Sequence, residues 1–135
     1  MLELTNTPYK LIDLRSEKEF DKGTIPNSFN IPILDNSDYA IVGKDYKKNG
    51  KSSAIQLGNN LVSGEKKRNF IKRLIQILEE QKITHIFCKR GGLRSSTAKK
   101  WLDEKNINTK ILKGGYKAYR KKVNILHSSL ENYVG

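Results

Sequence analysis

The stretch Thr84-His85-Ile86-Phe87-Cys88-Lys89-Arg90-Gly91-Gly92-Leu93-Arg94-Ser95 runs from an apolar strand into a basic, glycine-bearing loop and on into a helical pattern. A strand ending in such a loop ahead of a helix aims several backbone N–H groups, and the positive end of the helix dipole, at one point. Cys88, the single cysteine of the chain, stands at that point, with Lys89, Arg90 and Arg94 adding positive charge. Both effects favour the thiolate, which is the nucleophile in sites of this kind. A buried core cysteine is the alternative, since free cysteine is among the most buried residue types. A strand end beside Gly91 and Gly92, where backbone can approach a ligand closely, favours function. Cys88 is thus the expected catalytic thiol, and Lys89, Arg90, Gly91, Gly92, Leu93, Arg94 and Ser95 the expected anion-binding loop.

Outward from this loop the pattern alternates between strands and helices. Phe70, Ile71, Leu74, Ile75, Ile77 and Leu78 recur at spacings of three and four, which predicts an amphipathic helix from Glu65 to Gln81. After the loop, Ser95 or Ser96 is expected to cap a helix whose buried stripe is Ala98, Trp101 and Leu102. Thr109 to Leu112 reads as another strand, Gly114-Gly115 as a turn, and Tyr116 to Leu130 as a basic closing helix. Towards the N-terminus, Leu11 to Arg15 is a short buried strand, and Ser16-Glu17-Lys18-Glu19 is a capping box that starts a helix stopped at Gly23. Thr24 to Ser28 is turn chemistry, and Phe29 to Ile33 is extended. The polar segment of about 35–65, with short helices expected at Ser37 to Lys47 and Ser52 to Leu61, reads as an insertion rather than core. Ser63 is expected to cap the helix after it. The whole, residues 1–135, is one α/β domain with a parallel sheet covered by helices on both faces, and ligands bind such sheets at the carboxyl ends of the strands.

Composition sets the partners. Twenty-six Lys and Arg against 14 Asp and Glu give a formal charge of +12. Such an excess suits a polyanion, most simply nucleic acid, although a lysine-rich solvated surface has the same signature. The charges group at Lys44, Lys47, Lys48 and Lys51; at Lys66, Lys67, Arg68, Lys72 and Arg73; and at Lys117, Arg120, Lys121 and Lys122. A single cysteine forms no internal disulfide, and Met1 to Asn6 lack the pattern of a secretory leader, so a cytoplasmic location is expected. No apolar run approaches the roughly 20 residues of a membrane helix.

Two further patterns carry nothing. Gly50-Lys51-Ser52 is like the tail of a phosphate-binding P-loop, but the earlier glycine would fall at Asp45 and no strand precedes it. His85 and His127, the only histidines, make no metal set with one cysteine, and His85 is expected in a core or surface role.

Asp13-Leu14-Arg15, Glu19-Phe20 and Gly23-Thr24-Ile25-Pro26-Asn27-Ser28-Phe29-Asn30-Ile31-Pro32 together resemble the opening of a rhodanese domain. The Cys88 to Ser95 loop and Leu112-Lys113-Gly114-Gly115-Tyr116 resemble its active-site loop and its last turn. Two departures stand out. Asn27-Ser28 replace the usual Gly-Ala, and five residues separate Cys88 from Arg94 where simple sulfurtransferases usually have four. Tyr46-Lys47-Lys48-Asn49-Gly50, Ala54-Ile55-Gln56-Leu57-Gly58 and Leu61-Val62-Ser63-Gly64-Glu65 are similar to the rhodanese branch found as the N-terminal domain of tRNA 2-selenouridine synthases.

That resemblance implies a rhodanese-like α/β fold. It also implies a selenium or sulfur transferase in which selenophosphate donates selenium to replace the sulfur of wobble 2-thiouridine in tRNA, through a geranylated intermediate. Cys88 would then be the nucleophile or chalcogen carrier, with the loop and Arg94 holding a tetrahedral anion. Arg90 would clamp phosphate, touch RNA or form a structural ion pair. Asp13 and Arg15 would brace the loop, with Asp13 paired to a loop arginine. The implied partners are tRNA and a P-loop domain on a separate polypeptide or further along the protein, which would handle geranyl diphosphate; no bound cofactor, metal or membrane is implied. Lys47, Lys48, Lys51, Lys117, Arg120 and Lys121 are the candidate RNA contacts. A generic thiosulfate sulfurtransferase, a Cys-x5-Arg phosphatase or arsenate reductase of the same fold, and a non-catalytic tRNA-binding subunit are the competing readings.

Overall fold

Four short strands carry the apolar segments that flank the cysteine loop: β1 (Leu11–Asp13), β2 (Ser28–Asn30), β3 (His85–Phe87) and β4 (Lys110–Ile111). A computed structural model describes residues 9–90 and 92–123. All pairings are parallel and the order is β2-β1-β3-β4, with Ile12 opposite both Phe29 and Ile86. Parallel neighbours require crossovers, and helices supply them: α1 (Glu17–Asp21), α2 (Asn36–Asn49), α3 (Lys51–Leu61), α4 (Gly64–Glu80) and α5 (Leu93–Glu104). Residues 115–123 form a further helix, α6.

Because strand side chains alternate, β1 and β3 feed two cores. Ile12, Leu14 and Ile86 join Ile71, Leu74 and Leu78 of α4 and Ala98, Trp101 and Leu102 of α5 on one face. Leu11, Phe87, Ile25 and Leu112 meet on the other, under Tyr116 and Tyr119. This is the expected α/β architecture, a parallel sheet with helices on both faces. The apolar residues of α4 fall at the expected spacing, and the helix starts and ends one residue earlier than its pattern suggests.

Three local expectations are corrected. The segment about 35–65 is not outside the core: Val62 is buried in the main cluster, and Tyr39, Val42 and Leu61 pack against it. Its two helices meet at Gly50, whose φ of 90° lies where side-chain-bearing residues are strained. Ser63 sits at the N-cap position of α4 but makes no side-chain cap; its hydroxyl donates to Asn60 O at 2.8 Å. Finally, α5 begins at Leu93 with Gly92 as N-cap, two residues before Ser95. The glycine-rich loop turns directly into helix, which leaves Ser95 inside the first turn and fully buried. Gly91, His127 and the closing helix past residue 123 lie outside the described residues.

Candidate active site

Strand order reverses at β1, since successive connections lead first to β2 on one side and then to β3 on the other. In parallel α/β sheets, ligands bind at the carboxyl ends of the strands beside such a reversal. Cys88 follows β3 at that place and Asp13 ends β1 next to it, with Leu14 N–H donating to Phe87 O at 2.9 Å.

Cys88 is buried, with 3 % of its surface exposed, and its sulfur lies 3.1 Å from Ser95 Oγ. Burial pushes its pKa up, but the Ser95 hydroxyl, the backbone N–H groups of Ser95 and Gly92, and the charge of Arg94 outweigh that and leave it lowered. The amino-terminal turn of the 12-residue α5 follows immediately, with no acidic residue in it. A thiolate is therefore stabilised mainly by fixed dipoles. Lys89, Arg90 and Leu93 are exposed on the loop.

Asp13 and Arg15 pair with each other at the strand end beside the loop, not with a loop arginine as expected. Asp13 accepts from the Arg15 backbone amide at 2.9 Å, from Arg15 Nε and Nη2 and from Thr24 Oγ1, and no loop arginine reaches it. Arg15 stands two residues on in the same segment, so its guanidinium folds back over the carboxylate at the lowest cost in chain entropy. Nη2 also donates to Gly23 O at 2.7 Å, and the guanidinium stacks 4.0 Å from the Tyr116 ring centroid. The Tyr116 and Lys117 amides, at the start of α6, donate to Cys88 O and Lys89 O at 2.9 and 2.8 Å. The chain of contact thus runs from Asp13 through Arg15 and Tyr116 to the backbone of the reactive loop.

Arg94 pairs instead with Glu19, Nη1 to Oε1 at 2.7 Å and Nη2 to Oε2 at 3.3 Å, and its guanidinium lies 4.6 Å from the Tyr39 ring centroid. Glu19, Tyr39 and Tyr116 are the site residues that sequence reasoning missed. Glu19 was visible as the acidic member of a capping box and as part of the opening motif, with no role in the site, and a contact across 75 positions leaves no local trace.

A cavity of about 560 Å3 opens beside Cys88. Its walls are mostly apolar, from Tyr39 and Val42 of α2, Ala54 and Ile55 of α3, and Leu93 and Trp101 of α5. Lys47, Lys89 and Arg90 also line it, so one basic cluster and the loop charges share a rim. Lys48, Lys51, Lys117, Arg120 and Lys121 are exposed, and Lys117 is tied to the loop by its backbone. The α4 cluster is partly engaged inside the protein: Lys66 pairs with Asp35 and Asp38, and Lys67 stacks on Trp101. His85 is half-buried with Nδ1 2.9 Å from Thr84 Oγ1, and burial lowers its pKa. Among the described residues no cluster of three His, Cys, Asp or Glu could hold a metal, and no helix is long and apolar enough to cross a membrane.

Comparison with known proteins adds to this geometry. The model of the rhodanese-like domain family matches residues 1–122. A tRNA 2-selenouridine synthase of Sulfurovum sp. is 41% identical over 117 residues, which cover 87% of this chain and 32% of that protein. One of Nitrosomonas eutropha is 35% identical over 125 residues, covering 92% of this chain and 32% of its own length. The chain thus spans about a third of the curated relatives it matches. A solved N-terminal domain from Clostridium difficile 630, belonging to a protein described as ATP/GTP binding, superposes with a TM-score of 0.77 at 35% identity, over 85% of this chain and 88% of that one.

Proposed function

The chain belongs to the rhodanese family and matches the N-terminal part of tRNA 2-selenouridine synthases; from that premise we propose that it is the rhodanese component of such a synthase. In this role Cys88 is the nucleophile or chalcogen carrier in selenophosphate-dependent replacement of sulfur by selenium in wobble 2-thiouridine. The observation that carries this reading is the cavity: the cysteine loop opens onto an apolar chamber walled by the α2–α3 segment. Thiosulfate or a small phosphomonoester fits the polar cradle alone and has no use for such a wall. A modified base, carrying an apolar group on its sulfur, does. The loop amides and Arg94 hold the tetrahedral donor, the kind of preorganised electrostatic stabilisation that dominates many sites. Lys47, Lys89, Arg90 and Lys117 then meet the phosphates of the RNA. The remaining two thirds of the relatives' length supplies the partner P-loop domain and any handling of geranyl diphosphate, consistent with the ATP/GTP-binding description of the Clostridium difficile protein.

The test is reconstitution. The chain is combined with the P-loop part of a relative, selenophosphate and tRNA bearing 2-thiouridine, and selenouridine is measured by nucleoside mass spectrometry. Cys88→Ala is expected to abolish selenation while leaving tRNA affinity within a few-fold, because phosphate contacts dominate affinity and fall steeply with salt. Full selenation by Cys88→Ser would leave only a tRNA-binding subunit. Cys88-dependent turnover of an artificial phosphomonoester, or thiosulfate–cyanide transfer faster than selenation, would overturn the assignment.

A further inference from the structure

Glu19 closes a capping box, yet the same carboxylate does more than cap. Its Oε1 accepts the Ser16 amide at 3.0 Å, the Ser16 hydroxyl at 2.9 Å and Arg94 Nη1 at 2.7 Å, while Oε2 takes Nη2. Both Ser16 donors meet Oε1, so the arginine pair, which also uses Oε2, does not depend on the serine hydroxyl. α1 is five residues long, and a cap of this kind is worth about 1 kcal/mol. A bidentate pair to a residue of the reactive loop is not needed for that.

We propose that Glu19 is a positioning residue of the site: it holds Arg94 off the Cys88 sulfur, so that the guanidinium serves the incoming anion rather than collapsing onto the thiolate. The proposal rests on Cys88 being the reactive group, not on which chalcogen it carries. Arg94 is gripped from two sides, by Glu19 of α1 and the Tyr39 ring of α2, while its backbone lies in the first turn of α5. Side-chain exposures of 14 % and 17 % for Arg94 and Glu19 leave little water to screen the pair. Arg94 lines the same cavity as Cys88, and its charge reaches the sulfur. With Glu19 paired, that charge is partly offset, and the thiolate relies on Ser95 and the loop amides. A thiolate held by an unopposed guanidinium would be more abundant but a weaker nucleophile, because nucleophilicity falls as pKa falls.

The experiment is the pH profile of Cys88 alkylation by iodoacetamide, which reports one site because the chain has one cysteine. Glu19→Gln keeps an oxygen acceptor for Ser16 but removes the charge. It is expected to move the midpoint to lower pH by about one unit and to lower the high-pH plateau about threefold. Ser16→Ala loosens the cap and keeps the ion pair, and is expected to move neither. Should Glu19→Gln fail to fold, Glu19→Asp, which keeps the charge but is too short for the bidentate grip, shifts both readouts the same way by less. A Glu19→Gln profile that superposes on the wild type, a midpoint that rises, or an equal shift in Ser16→Ala would overturn the proposal. Alkylation needs no selenium chemistry, so loss of the selenation reading would leave this result intact.

Discussion

Replacing Ser95 by alanine tests how the site makes a thiolate. Ser95 is fully buried, its hydroxyl 3.1 Å from the sulfur of Cys88, a residue only 3 % exposed, so bulk water has little access to take the hydroxyl's place. A thiolate can only accept, so the Ser95 hydroxyl is the donor in the reactive form. Hydrogen bonds to charged groups contribute about 1.5–3 kcal/mol. The low end applies, because the same hydroxyl also donates to Gly92 O at 3.3 Å and carries a single proton. About 1.5 kcal/mol corresponds to about one pKa unit. Burial, which already pushes the Cys88 pKa up, then meets weaker opposition from the two amides and Arg94. The alkylation midpoint of Ser95→Ala is expected to rise by about one unit, and the rate at a fixed pH below both midpoints to fall about threefold, the roughly tenfold loss of thiolate being partly offset by the greater nucleophilicity of the more basic sulfur. Stability gives a second readout. The folded Cys88 pKa lies below the unfolded value of about 8.5, so its contribution is fully present above that value and is lost as pH falls through the folded pKa. In Ser95→Ala that window narrows, and the rise in stability across it shrinks. An unmoved midpoint, or one displaced to lower pH, would refute the assignment of Ser95 as the main side-chain donor to the thiolate.

Other substitutions probe the brace behind the loop. Asp13→Asn removes the charge that neutralises Arg15, a residue 3 % exposed, and is expected to cost about 3 kcal/mol in urea unfolding; a loss under about 1 kcal/mol would mean that the buried pair does not hold the strand ends. Gly23→Ala places a methyl group 2.6 Å from Tyr116 Oη at a φ of +145°, with an expected cost of about 1–3 kcal/mol and displacement of the Tyr116 amide from Cys88 O, visible as faster exchange of that amide; unchanged exchange would separate the turn from the loop.

Much of the fold was legible because it is local. Strand and helix periods follow from apolar spacing, and the α4 stripe at Ile71, Leu74 and Leu78 lies where the spacing places it. The start of α5 was misplaced because serine is a strong cap and glycine a weak one, so the pattern pointed to Ser95 or Ser96. The loop itself won: the chain turns helical at Leu93, and Ser95 gains a buried partner in Cys88. The α2–α3 segment was read as peripheral because polar residues dominate it. Its few apolar positions, Val42, Ala54 and Val62 among them, enter the core or the cavity, and a polar average hides such residues.

The sequence by itself determined that a lone thiol sits in a basic, glycine-bearing loop between a strand and a helix, because backbone direction and charge type are properties of neighbouring residues. Tertiary structure alone decided which charges act on it. Asp13 was expected to meet a loop arginine, but it is taken by Arg15, two positions away, and the loop's Arg94 is taken by Glu19, which is 75 positions distant. Ion pairs depend on distance in space and on burial, and neither is a property of residue order.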